Sequence, residues 1–154
     1  MRCVGAVYEE HARAFGHVAY EHQAAALLVK ARLEEHDSQV VVLPGYYSRN
    51  AAGKIQLMGR NGTDYSAAAV AAALGADLCQ IWKDVDGFFT ADPRIVSNAR
   101  CLEEVSYEEA MELTYFGAKV ISAKALTPLA ANNIPCEVRN TYDPDKPGTL
   151  VHAE

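Results

Sequence analysis

No basic cluster, no long apolar run and no paired cysteines occur in this chain of 154 residues. Lys and Arg total 14 against 20 Asp and Glu, giving a net charge of −6. That balance, without a basic stripe, argues against nucleic acid or an anionic membrane surface as a partner. The longest early apolar run, Ala24 to Val29, is too short for a signal peptide, and nothing approaches a membrane span. A cytoplasmic setting is the expectation. Cys3, Cys79, Cys101 and Cys136 stand far apart without a C-x-x-C pair. Cys79 and Cys136 fall in apparent strands, where a buried thiol acts as a small apolar residue rather than a metal or redox group. His11, His17, His22 and His36 show no i, i+4 pairing beside a carboxylate set, so no metal site is expected. Internal repeats and low-complexity linkers are also missing.

What is present suits a globular chain, one domain or part of one. Half the residues are apolar, enough for a real core. Residues from Tyr8 to Glu35 read as a helix weakened at Gly16, and Val40 to Leu43 as a buried strand stopped by Pro44-Gly45. A short strand ends at Met58, and an alanine-rich helix from Asp64 to Leu74 stops at Gly75. Further strands are expected at Leu78–Trp82, Pro135–Arg139 and Thr149–Val151. Ser106-Tyr107-Glu108-Glu109 reads as a capping box opening a helix through Phe116, and a last helix runs from Ala123 to Asn132. Strands alternating with helices point to an α/β layered fold with a mostly parallel sheet.

The segment Met58-Gly59-Arg60-Asn61-Gly62-Thr63-Asp64-Tyr65-Ser66 leaves a strand and enters a helix. Two glycines let the backbone turn sharply and bring its N–H groups near a ligand. A helix start has unpartnered N–H groups and a partial positive charge, so it attracts anions. Arg60 adds a planar fork for a carboxylate or phosphate, and Thr63 and Asp64 can cap the helix or face a site. A tight turn with a capped helix is the purely structural alternative. Asp84 and Asp86, after the Leu78–Trp82 strand, read either as a metal pair or, better, as a solvated acidic turn. Lys119 reads equally as a charge at a helix C-terminus. The pairs Tyr46-Tyr47 and Phe88-Phe89 read first as half-buried aromatics at loop edges and second as nucleotide platforms.

Taken with Ile81-Trp82-Lys83-Asp84-Val85-Asp86-Gly87-Phe88-Phe89-Thr90-Ala91-Asp92-Pro93-Arg94, Tyr115-Phe116-Gly117-Ala118-Lys119-Val120, Asn140-Thr141 and Pro147-Gly148-Thr149-Leu150, this turn resembles the aspartokinases of the amino acid kinase family. The resemblance runs from Val40 to Val151. It implies a layered α/β/α fold with a mostly parallel central sheet, present here as a partial domain. In that division, residues 1–39 form a helical segment without a family motif and 40–151 the aspartate- and nucleotide-binding part. The implied reaction transfers the γ-phosphoryl of ATP, with Mg²⁺, to the side-chain carboxylate of L-aspartate. This is the first step of lysine, threonine and methionine synthesis, and the intact enzyme is expected to be a homo-oligomer.

By position, the resemblance implies that Arg60, Asn61, Gly62 and Thr63 bind aspartate and that Asp64 is an acidic active-site residue. Lys83, Asp84 and Phe89 match nucleotide contacts, Arg94 a phosphate contact, and Lys119 with Val120 a second nucleotide contact; Arg60, Asp64 and Lys119 are the implied catalytic residues. Three departures stand out. Lys83 replaces a common Thr, Ser122-Ala123 replaces His-Pro, and the opening Lys-Phe-Gly-Gly motif, which supplies a lysine and a phosphate-cradling loop, has no match. A chain of this kind alone is therefore expected to be inactive. The alternative is a non-catalytic nucleotide-binding or assembly module derived from an amino acid kinase.

Overall fold

The computed structural model describes residues 31, 40–49 and 54–153. The helix expected over Tyr8–Glu35 lies outside the described residues apart from Ala31, which is helical. The chain divides into two compact units, Met1–Ala76 and Asp77–Glu154.

In the first unit, β1 (Tyr47–Arg49) and β2 (Ile55–Leu57) pair antiparallel, with Ser48 opposite Gln56. Helix α1 (Gly62–Leu74) follows and buries Ala68, Ala69, Ala71 and Ala73. It ends where expected. Gly75 sits at φ 63°, its N–H donating to Ala72, while the Ala76 N–H reaches back to the Ala71 carbonyl. This left-handed exit satisfies carbonyls at the helix end.

The strand expected at Val40–Leu43 is not formed. Those residues have no regular structure, and Val40 and Val42 are 79% and 82% exposed. An apolar run becomes a strand only where a neighbour takes its N–H and C=O groups. Here pairing starts at Tyr47 instead, so Tyr47 belongs to a strand rather than a loop edge.

The second unit is built on a four-stranded sheet in the order β3 (Cys79–Lys83), β5 (Cys136–Asn140), β6 (Thr149–His152), β4 (Glu104–Ser106). The β3–β5 and β4–β6 pairs are parallel and the central β5–β6 pair is antiparallel. The sheet is therefore mixed, with two of its three pairings parallel. Burial alternates along the strands. Cys79, Ile81, Cys136, Val138, Val105 and Val151 are buried, whereas Gln80 and Trp82 are exposed. The two buried thiols, register partners across β3 and β5, act as small core residues. Arg139 lies over the Trp82 ring, 5.3 Å from its centroid, on the more open face.

Helices α2 (Tyr107–Tyr115) and α3 (Ala123–Ala131) pack on each other and contribute Ala110, Ala125, Leu126 and Leu129 to the core. The capping box forms as the sequence indicates. Ser106 Oγ accepts from the Glu109 N–H at 3.2 Å, and Glu109 Oε2 accepts from the Ser106 N–H at 2.8 Å. Ser122 caps α3 through the Ala125 N–H. The Tyr107 hydroxyl donates to the Ile134 carbonyl, and burial pushes its pKa up to about 12.

Candidate functional site

The glycine turn of the first unit is a built object. Gly59 has φ 76° and Asn61 φ 57°, both left-handed, and the Gly62 N–H closes the turn on the Gly59 carbonyl at 3.1 Å. Asn61 stands at the N-cap of α1, and its side chain makes no capping bond. The cap position is therefore Asn61, whereas Thr63 and Asp64 lie inside the first turn. Arg60, Asn61 and Thr63 are exposed, and Asp64 is half-buried. Gly62 has no room for a side chain, since a Cβ there would sit 2.8 Å from the Cβ of Met58.

Ser66 ties this turn together, a role that reading the sequence did not assign. Its Oγ accepts from the Tyr46 N–H at 3.0 Å and lies 2.8 Å from the Gly62 carbonyl and 3.0 Å from Met58 Sδ. Strand entry, turn and helix start are thus fixed by one hydroxyl. An exposed guanidinium and an uncapped helix start remain on the outside, a combination suited to a carboxylate.

In the second unit, Lys83 ends β3 half-buried, Asp84 is exposed, and Phe89 is half-buried with an antiparallel bridge to Cys101. Phe88 is fully buried, a core residue rather than a loop-edge platform. Arg94, its side chain 83% exposed, forks onto Asp92: Nε donates to Oδ1 at 3.0 Å and Nη2 to Oδ2 at 2.7 Å. This guanidinium holds the Asp92 carboxyl at about 2, well below its ordinary value.

Lys119 is exposed and Val120 half-buried, in an irregular stretch beyond α2. Helix α2 is capped at Phe116 and has no basic residue in its last turn, so Lys119 is not a helix-terminal charge. The stretch is held by Thr114 Oγ1, which donates to the Ile121 carbonyl at 3.0 Å. Lys83 closes β3 and Asp84 follows it, at the C-terminal end of the strand, where such sheets offer ligand crevices.

Asp86 is engaged by two side chains rather than merely solvated. Oδ1 accepts from Asn140 Nδ2 at 2.6 Å, and Oδ2 accepts from Lys146 Nζ at 2.9 Å. Both bonds lower its pKa, Asn140 more than Lys146. Thr149, fully buried, accepts from the Phe88 N–H and donates to the Leu102 carbonyl. Asn140 and Thr149 were visible only as motif residues without a role. Among the described residues no group of three or more His, Cys, Asp or Glu could hold a metal ion.

This turn, strand-end loop and mixed sheet have clear counterparts. The model of the amino acid kinase family matches residues 4–140, and the chain belongs to that family. Its relatives include aspartokinases. It is 53% identical over 113 residues to the bifunctional aspartokinase/homoserine dehydrogenase of Haemophilus influenzae, covering 73% of this chain and 14% of that protein. With the aspartokinase of Mycolicibacterium smegmatis it shares 47% identity over 116 residues, covering 75% of this chain and 27% of that one. Escherichia coli aspartokinase III, solved in complex with aspartate and ADP, superposes with a TM-score of 0.85 at 35% identity, covering 98% of this chain and 33% of that chain. The chain thus spans less than a third of each of these proteins.

Proposed function

We propose that this chain is the aspartate- and nucleotide-binding part of an aspartokinase catalytic domain, residues 40–151 carrying the binding elements. The reaction transfers the γ-phosphoryl of ATP to the side-chain carboxylate of L-aspartate. A carboxylate oxygen forms the new bond to phosphorus, the bond to the β-phosphate oxygen breaks, and ADP and 4-phospho-L-aspartate leave. Two anions must meet, so catalysis is chiefly positioning and charge stabilisation. In an acidic chain that work falls to local cations.

The observation that carries this reading is the Gly59–Gly62 turn, with Arg60 exposed beside a helix start that no side chain caps. Arg60 grips a substrate carboxylate in two-point fashion, and the first-turn N–H group of Thr63 adds a donor. Asp64 helps position the reacting groups. Lys83, Asp84 and Phe89 contact the nucleotide, Arg94 a phosphate once released from Asp92, and Lys119 and Val120 the nucleotide from the second loop. The nucleotide enters as its Mg²⁺ complex; the donors at hand do not make a protein cage for the ion, as Asp86 is engaged by Asn140 and Lys146. The pathway of lysine, threonine and methionine synthesis, a homo-oligomeric enzyme and a cytoplasmic setting belong to the same proposal. Among the described residues, no helix is long and apolar enough to cross a membrane.

Titrating L-aspartate in the presence of saturating MgADP tests the assignment. Arg60→Lys is expected to weaken aspartate about tenfold, the worth of one lost charged contact, and to leave MgADP unchanged. Loss of MgADP affinity with aspartate spared would move Arg60 to the nucleotide side.

A further inference from the structure

The turn after β3 and the loop between β5 and β6 meet more closely than ordinary side chains allow. Gly87 has φ 148°, and a Cβ there would lie 2.2 Å from Thr149 Oγ1. Gly148 has φ 79°, and a Cβ there would lie 2.1 Å from the Val138 carbonyl oxygen. Gly87 thus lets the turn approach the start of β6, Gly148 lets the β5–β6 loop fold back on β5, and polar bonds join the two segments. Asp86 receives Asn140 on one oxygen and Lys146 on the other, and Lys146 also pairs with Asp143 at 3.3 Å. The Thr141 N–H donates to the Lys83 carbonyl at 2.8 Å, and Arg139 Nη2 donates to the Pro144 and Lys146 carbonyls. The side chain of Asp86 is 24% exposed; its bond to Asn140 is partly buried, whereas its bond to Lys146 lies at the surface.

We propose that Asp86 is a positioning residue for the nucleotide turn, clamping the Lys83–Phe89 segment to the Asn140–Gly148 loop through Asn140 and Lys146. The proposal rests on the reading of Lys83, Asp84 and Phe89 as nucleotide contacts and deepens it. None of the three clamp residues touches the nucleotide. They fix where the β3 end and Phe89 point, and the β5–β6 loop becomes part of the framework of the site. A second role follows for Lys146: an exposed lysine, remote in sequence from the turn, sets nucleotide affinity.

The test measures MgADP binding by calorimetry on the folded chain and on Asp86→Ala, Lys146→Met and the double variant. Asp86→Ala is expected to weaken MgADP about tenfold, the worth of a charge-assisted bond, with L-aspartate affinity unchanged. Lys146→Met should weaken MgADP in the same direction, and the double variant should be no weaker than Asp86→Ala alone, because both act through one clamp. Folded variants that bind MgADP like the unsubstituted chain would overturn the proposal. If Asp86→Ala does not fold, Lys146→Met decides, since Lys146 is half exposed. If the unsubstituted chain does not bind MgADP, the functional reading fails separately, and amide exchange judges the clamp. The Gly87 and Phe88 amides should then exchange about tenfold faster in both single variants, and unchanged exchange would sink the clamp.

Discussion

Phe88 and Thr149, 61 positions apart in the chain, are joined by a buried bond of 2.9 Å from the Phe88 N–H to Thr149 Oγ1. The same hydroxyl donates to the Leu102 carbonyl at 2.6 Å, so one side chain satisfies two backbone groups of the segment that leads from the β3 turn toward β4. Val fits the same space and keeps the branching, but leaves the Phe88 N–H unpaired and the Leu102 carbonyl with only the weak Cys101 thiol donor at 3.7 Å. Thr149→Val is therefore expected to destabilise the fold by about 2 kcal/mol, and Thr149→Ser by much less. Urea denaturation midpoints measure the difference, and equal loss in the two variants would show that packing, not the hydroxyl, matters here.

Two glycines with left-handed backbone separate conformational cost from steric cost. Gly75 has φ 63° and open space where a Cβ would go, whereas Gly148 has φ 79° and a carbonyl oxygen in that place. Gly75→Ala should cost about 1 kcal/mol, the price of a left-handed alanine. Gly148→Ala should cost about 3 kcal/mol or more, because the loop must also shift. Equilibrium unfolding of the two variants checks the ranking, and a reversed order would contradict the packing at the β5–β6 loop.

Acid should reveal the Asp86 clamp. Hydrogen bonds from Asn140 and then Lys146 hold this carboxyl below its ordinary value of 3.8. A depressed folded-state pKa gives stability that is complete above the unfolded value and lost as pH falls through the folded one. The stability gap between the unsubstituted chain and Asp86→Asn is therefore expected to be constant above pH 3.8 and to shrink below it. A gap that persists unchanged into strong acid would show that the charge of Asp86 is not what holds the loops.

Much of the fold was legible because its signals are local. Ser106 with Glu109, Gly75 after the alanine run, and the glycine turn before Thr63 each announce an element within a few residues. The strands β1 and β4, three residues each, were not legible, since three residues carry too little alternation to distinguish a strand from a loop. Val40–Leu43 misled in the opposite sense, its apolar run suggesting a strand that the chain does not form. Site residues named by motif cluster at a helix start, a strand end and the loops beside them, but groups that shape the turn after β3 come from far away. Asn140 and Lys146 reach Asp86 across 54 and 60 positions, a pairing that no window of sequence displays.

Catalysis by the 154 residues alone is a separate expectation of the proposed reading. The family's Lys-Phe-Gly-Gly motif has no match here, and groups that stabilise phosphoryl charge are each worth about 3 kcal/mol. The isolated chain is expected to show negligible aspartate phosphorylation in a coupled ADP-release assay. Robust turnover dependent on L-aspartate would mean that other residues of this chain supply the missing charge.

Nucleotide binding by the isolated chain tests the central claim most directly. Lys83, Asp84, Phe89, Arg94, Lys119 and Val120, the proposed nucleotide contacts, all lie in the second compact unit. Calorimetric titration with ADP should give weak binding that requires Mg²⁺ and is diminished in Lys119→Ala and Arg94→Ala. No binding by a chain shown to be folded, or binding indifferent to both substitutions, would contradict the account.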